Sequence, residues 1–185
     1  MTISNQFRNE MIAAIPGLRA FGISLTSRSD RADDLVQETL MKAWKHHDSF
    51  QPGTNMKAWL YTILRNEFYS HLRKRRREVE DADGLYASRV AVQAEQHGHL
   101  DMADLKAALQ QLPEDQREAI ILVGASGFSY EEAATICNVA IGTIKSRVNR
   151  ARKKLGELMH IDSADEFAPD IALRGVSSGS LAVDE

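Results

Sequence analysis

The chain has a single cysteine, Cys137, so no internal disulfide can staple it. That residue falls at the apolar end of a predicted helix and reads as a small core side chain. No apolar run approaches the ~18 residues that a membrane crossing needs. The N-terminus has no basic stretch followed by an apolar one, because Asn5, Arg8 and Glu10 interrupt it. Both absences lead to the expectation of a reduced, cytoplasmic protein with no membrane partner. Aromatic residues are only 6% of the chain against 43% hydrophobic, which suits packed helices better than sheet. A formal net charge of −3 over 185 residues excludes a chain that coats nucleic acid along its length.

Catalytic chemistry is missing as well. Of the six histidines, His46-His47 lie at a helix end and His97-x-His99 in a weakly patterned stretch. With one cysteine and no His-x-x-x-His pair, neither a metal nor a cofactor is expected. Gly124-Ala125-Ser126-Gly127 lacks the preceding strand and the lysine of a phosphate loop, so it reads as an interhelical turn. No nucleophile, base and acid sit on strand-to-helix turns. The chain is not expected to be an enzyme.

What is present is helical periodicity and segregated charge. Phe7, Met11, Ile12 and Ile15 mark a first helix ending before Pro16, and Pro16 can open a second with Leu18, Phe21 and Leu25. Asp30 can cap a third, with Ala32, Leu35, Val36, Thr39, Leu40, Ala43 and Trp44 at helical spacing. Phe50 to Asn55 is a loop by its Pro-Gly pair, and a long helix runs from about Met56 to Arg77. In that helix Trp59, spaced with Ile63, reads as core. Arg73 to Arg77 form a basic run, followed at once by Glu78, Glu80, Asp81 and Asp83.

The pattern weakens from 78 to 100, read as a flexible linker. A second helical unit spans 101–160, with Leu105, Ala108, Leu109 and Leu112 before Pro113 and Ala119, Ile120, Leu122 and Val123 after it. Residues 161–185 read as a mobile tail. The fold class is therefore all-α, two small helical domains on a flexible joint.

The most informative stretch is Ser129 to Leu155. Ser129 and Glu132 have capping-box spacing, so a helix starts there. Asn138, which tolerates left-handed backbone, marks a turn. A second helix places Ile144, Val148, Ala151 and Leu155 on one stripe. Gly142, Lys145, Ser146, Asn149, Arg150 and Lys153 fall opposite, with no acidic residue from Ile141 to Gly156. Two helices, a short turn and a cationic outer face make a helix-turn-helix that fits the DNA major groove. A solvated amphipathic helix would show the same stripe without the preceding capped helix.

Arg31 to Arg77 resembles conserved region 2 of the bacterial extracytoplasmic-function sigma factors, and Leu112 to Leu155 resembles their region 4, in the family's order. Within that family, LVGASGFSYEEAA resembles the alphaproteobacterial general-stress-response branch. The resemblance implies a promoter-specificity subunit that binds core RNA polymerase through its β′ and β subunits. It implies polymerase docking by Asp33, Asp34, Gln37, Glu38 and Lys42. It implies minus-10 contacts from Asn55, Lys57, Arg65, Asn66, Arg73 and Arg76, with the Phe50–Asn55 loop taking a flipped base. Minus-35 contacts are implied for Thr143, Lys145, Ser146, Arg147, Asn149, Arg150 and Lys153. Many members carry arginine where this chain has Val123, so a backbone phosphate contact there is lost. A soluble anti-sigma protein holding the two domains together is implied too, with the free chain extended or variable in domain spacing.

Two other readings share these features. A stand-alone helix-turn-helix regulator would bind duplex DNA tightly without polymerase. A sigma-mimic that titrates an anti-sigma protein would not need the basic recognition face retained here.

Overall fold

The computed structural model describes residues 4–80 and 102–160. Most of the expected 78–100 linker, and all of the 161–185 tail, lie outside the described residues. Seven α-helices and no strand occur among the described residues. They are α1 (Asn5–Thr26), α2 (Ser29–Lys45), α3 (Met56–Glu80), α4 (Met102–Gln110), α5 (Glu114–Ile120), α6 (Tyr130–Cys137) and α7 (Ile141–Leu158).

Helix α1 corrects the expected break at Pro16: one helix runs through the proline. Proline removes one intrahelical hydrogen bond. Pro16 is exposed, however, and Phe7, Met11, Leu18, Phe21 and Leu25 are buried on both sides of it. That burial holds the two halves as one rod. Ser4 caps the start, its hydroxyl oxygen accepting from the Phe7 N–H at 3.1 Å.

Helix α2 buries Ala32, Leu35, Val36, Thr39 and Ala43. The Thr39 hydroxyl donates to the Leu35 carbonyl at 2.7 Å, which satisfies the polar group in the core. Trp44, expected on this stripe, is 46% exposed, whereas Ala43, expected there too, is fully buried. Helix α3 buries Met56, Leu60, Tyr61, Leu64 and Phe68 against α1 and α2.

In the second unit Pro113 precedes α5, which continues as a π-helical turn over Ile121–Ala125. The Ser129–Glu132 capping box forms in both directions, and Asn138 ends α6 at φ 52°, ψ 51°. The Ser126-Gly127 stretch is an interhelical turn in which Gly127 has φ 73°, a conformation that favours glycine. Ile144, Val148, Ala151 and Leu155 of α7 are the buried stripe that the sequence predicts.

In this structure the two units pack on each other, whereas the resemblance implies a free chain extended or variable in domain spacing. One buried cluster runs through both, with α3 packed on α6 and α1 on α5. At its centre Tyr61 stacks on Phe21 at 4.9 Å and meets the Phe128 ring edge-on at 4.9 Å. Tyr61 is 1% exposed and Phe128 4%. Two aromatic side chains far apart in the sequence thus bury each other across the joint.

Candidate nucleic-acid interface

The outer face of α7 forms because its inner face is anchored. Ile144, Val148 and Ala151 are fully buried, so residues one or two positions away must point outward. Lys145, Asn149, Arg150 and Lys153 are exposed, and Thr143, Ser146 and Arg147 are half-buried at the edges. Two edge residues already have internal partners. The Ser146 hydroxyl donates to the Thr143 carbonyl at 2.9 Å, and Arg147 Nε lies 3.1 Å from Asp115 Oδ2 on α5. The expected minus-35 set therefore divides into an outward group and edge residues, of which Ser146 and Thr143 bond to each other within α7 and Arg147 pairs with α5.

The expected minus-10 residues divide as well. Asn55 sits at the start of α3, where its Oδ1 accepts from the Ala58 N–H at 3.1 Å. Its Nδ2 donates to Glu132 Oε1 at 2.7 Å in the second unit. Lys57 Nζ donates to the Ser126 carbonyl and stands 4.8 Å from the Phe128 ring centroid. Arg65 Nε lies 2.7 Å from Glu118 Oε1, and its guanidinium is 4.6 Å from the Tyr69 ring centroid. Asn66 and Arg73 are exposed, whereas the Arg76 side chain lies outside the described residues.

Glu118 is the unusual group here. Its side chain is 0% exposed, and its Oε2 accepts from the Tyr69 hydroxyl at 3.2 Å. Burial raises its pKa above the ordinary carboxylate value, and Arg65 pulls it part of the way back. Burial is the largest single effect on Arg65 and lowers its pKa, but Glu118, Cys137 and Tyr69 together outweigh it, so the pKa is raised. Cys137, buried beside them, is pushed up to about 12, chiefly by desolvation, which makes it an inert core thiol.

Beside the Phe50–Asn55 loop lies a cleft of about 610 Å³, lined by the N-terminal turns of α1 and by His47, Asp48, Phe50 and Thr54. Phe7 and Phe50 line it with their rings 5.8 Å apart, and both pack on Trp59, at 6.1 Å and 5.3 Å. Asn55 and Lys57, expected among the minus-10 contacts, hydrogen-bond in this structure to Glu132 and to the Ser126 carbonyl of the second unit. Gln6 and Glu10 of α1 line the cleft, and sequence spacing gave no sign of that because α1 is remote from the loop in the chain.

The expected polymerase-docking residues lie along α2. Asp33, Asp34, Gln37 and Lys42 are exposed and Glu38 is half-buried. Asp33 pairs with Arg19 at 2.6 Å, Lys42 with Glu67 at 2.6 Å, and Glu38 with His71 at 3.0 Å. Glu38, Glu67 and His71 bring their ligand atoms within 4.8 Å of one another, a cluster that the spacing of the histidines in the sequence does not show. Lys42 already neutralises one of its carboxylates, so the cluster is an ion-pair network bridging α2 and α3.

Comparison with known proteins identifies the arrangement. The Sigma-70 region 2 family matches residues 13–78, and Sigma-70, region 4 matches residues 102–155. The chain is 59% identical over 180 residues to the ECF RNA polymerase sigma factor EcfG of Rhodopseudomonas palustris, covering 97% of this chain and 99% of that one. The chain belongs to the ECF RNA polymerase sigma factors. This sigma factor is also 34% identical over 148 residues to SigM of Bacillus subtilis, covering 79% of this chain and 90% of SigM. Among solved structures it resembles the sigma factor RpoE in complex with the anti-sigma factor NepR from Bartonella quintana. That match has a TM-score of 0.76 and 61% identity over 86% of this chain and 100% of that one. It also resembles CnrH in complex with the cytosolic domain of CnrY, with a TM-score of 0.54 and 30% identity over 82% and 83% of the two chains.

Proposed function

We propose that this sigma factor reads two promoter elements with two functional domains, residues 1–77 and 101–160, joined by 78–100, with 161–185 outside both. Helix α7 enters the major groove of the minus-35 element. The observation that carries this reading is the outward group Lys145, Asn149, Arg150 and Lys153 behind a stripe no more than 7% exposed. Lysines reach phosphates and fix register; Asn149 and Arg150 have the donors and acceptors that read base edges. Thr143, Ser146 and Arg147 flank them and act by positioning the helix.

In the first domain Asn66, Arg73 and Arg76 hold phosphates of the minus-10 strand, joined by Asn55, Lys57 and Arg65. An extruded base enters the cleft beside the Phe50–Asn55 loop, against Phe7 and Phe50. Along α2, Asp33, Asp34, Gln37, Glu38 and Lys42 dock on core RNA polymerase, with Met41, 65% exposed, adding apolar surface to that face. Promoter opening then follows from binding, in the cytoplasm, with no catalytic centre or cofactor of the sigma factor's own. The stress-branch phrase Leu122 to Ala134 and the likeness to a sigma factor solved with NepR support a stress regulon and a soluble anti-sigma partner.

The test is footprinting of holoenzyme on a cognate promoter. An Arg150→Ala, Lys145→Ala double variant is expected to lose upstream protection while keeping downstream protection. Unchanged upstream protection would refute the assignment of α7.

A further inference from the structure

Two arginines of this protein are buried, and only one has an anion. Arg65 lies 2.7 Å from Glu118. Arg117 of α5 is 8% exposed and has no such partner. Its Nη1 donates to the Gln110 carbonyl at 3.5 Å, the long end of a hydrogen bond. Its Nε is buried with no hydrogen-bond partner among the described residues. Burial, the largest effect, lowers the Arg117 pKa, and Glu114 acts on it only through space. Buried charges are as a rule paired, because an unpaired one is costly to take out of water. The described residues of the chain do not supply the anion that Arg117 calls for.

There is space for one. Arg117 lines a cleft of about 310 Å³ between α1 and the α4–α5 pair. Ala20 and Ile23 line it from α1, and Leu105 and Leu109 from α4. Ile23, Leu105 and Leu109 are each half-buried, so an apolar occupant would cover what they still expose. The Ser24 hydroxyl, also in the lining, already donates to the Phe21 carbonyl at 2.6 Å. Lys106 lines the cleft too, but it is exposed to solvent. The recessed charge is therefore that of Arg117. None of the residues assigned above to either promoter element or to polymerase lines this cleft.

These walls select a chemistry. A guanidinium takes a carboxylate through two parallel N–H bonds, and one buried cation neutralises one negative charge. A phosphate dianion would bring a second charge that the guanidinium cannot neutralise, set against Ile23, Leu105 and Leu109. At about 30 Å³ for each atom of water size, the cleft holds about ten non-hydrogen atoms. That is the lower end of the size range of small-molecule sites.

We propose that the cleft between α1, α4 and α5 is a binding site for a small apolar monocarboxylate, its carboxylate on Arg117 and its chain against Ile23, Leu105 and Leu109. An aliphatic chain of about eight carbons, with its two oxygens, fills the volume.

The experiment titrates octanoate into the full chain, below micelle formation. Octanol, of the same chain length without the charge, is the control. Octanoate is expected to give saturable NMR shifts at the methyl groups of Ile23, Leu105 and Leu109. The melting temperature should rise with octanoate concentration, because a ligand that binds only the folded chain stabilises it. Octanol is expected to bind on the order of tenfold more weakly, since it cannot make the charge-assisted bonds. Arg117→Met keeps an apolar side chain in place and should fold, because it removes an unpaired buried cation. It is expected to abolish the preference for octanoate over octanol. Equal binding of the two probes to the unaltered chain overturns the proposal. So do shifts confined to residues outside α1, α4 and α5, or the absence of saturable binding. Those three outcomes are read on the unaltered chain and hold whether or not the variant folds.

Discussion

Arg147 Nε of α7 lies 3.1 Å from Asp115 Oδ2 of α5, and the arginine side chain is only 19% exposed. A cation of α7 thus joins that helix to α5. Its neighbour Arg150, one turn on, is exposed. Two arginines three positions apart on one helix therefore stand in different surroundings, one paired and half-buried, the other exposed.

Arg147→Ala is expected to lower stability by about 0.2–1 kcal/mol, the range for a partly exposed ion pair. It should leave the sequence preference at the minus-35 element unchanged. Arg150→Ala is expected to leave the melting temperature alone and cost about 1–3 kcal/mol in upstream binding, blurring one base position if it reads a guanine. Thermal melts alongside binding to a set of single-base promoter variants separate the two effects.

Replacement of Gln37 and Glu38 together by alanine should weaken binding to core polymerase while α2 stays folded. Both lie off the buried Ala32–Leu35–Val36–Thr39–Ala43 stripe. Glu38 also pairs with His71, so His71→Ala serves as a control that breaks the same ion pair and keeps the carboxylate. Competition for core against the unaltered chain reads this out. Equal competition by the double variant would place the docking face elsewhere.

Acid should loosen the start of α6. Glu132 has its pKa lowered from the ordinary 4.5, first by the Ser129 N–H and further by Asn55. A carboxylate depressed in the folded state contributes stability that is present above pH 4.5 and is lost as pH falls through the lower folded value. Glu132→Gln is expected to flatten that part of the stability–pH curve, measured by chemical denaturation between neutral pH and about pH 3.

Gly17→Ala should destabilise the chain although alanine is the better helix former by about 1 kcal/mol. A Cβ at Gly17 would stand 2.7 Å from the Tyr61 hydroxyl oxygen. The Tyr61 ring cannot retreat, because it is packed between Phe21 and Phe128. Overpacking of this kind costs about 1–3 kcal/mol. A melting temperature above that of the unaltered chain would show that the ring has room.

The sequence carried local features well and distant pairings poorly. The α7 stripe, the Ser129–Glu132 box and the left-handed Asn138 each depend on residues within a few positions of one another, so their spacing was sufficient. Pro16 disfavours a continuous helix locally, but the burial of Phe7 and Phe21 on either side of it, which local propensity does not show, holds α1 as one rod. Glu118 left no trace: in the sequence it reads as one more charged residue of a short helix, and its partners Arg65 and Tyr69 lie in the other unit. The same holds for Tyr61 and Phe128. Each is a plain apolar position in its own helix or turn, and only the tertiary contact shows that the units close on each other.

The central claim is that this chain directs core RNA polymerase to promoters through the outer face of α7. Run-off transcription with purified core polymerase and a pool of genomic promoters tests it most directly. The account expects discrete start sites that appear only when the chain is added, and that are lost for the Lys145→Ala, Arg150→Ala double variant. Tight binding of the isolated chain to duplex DNA, with no new start sites in the presence of core polymerase, would contradict it.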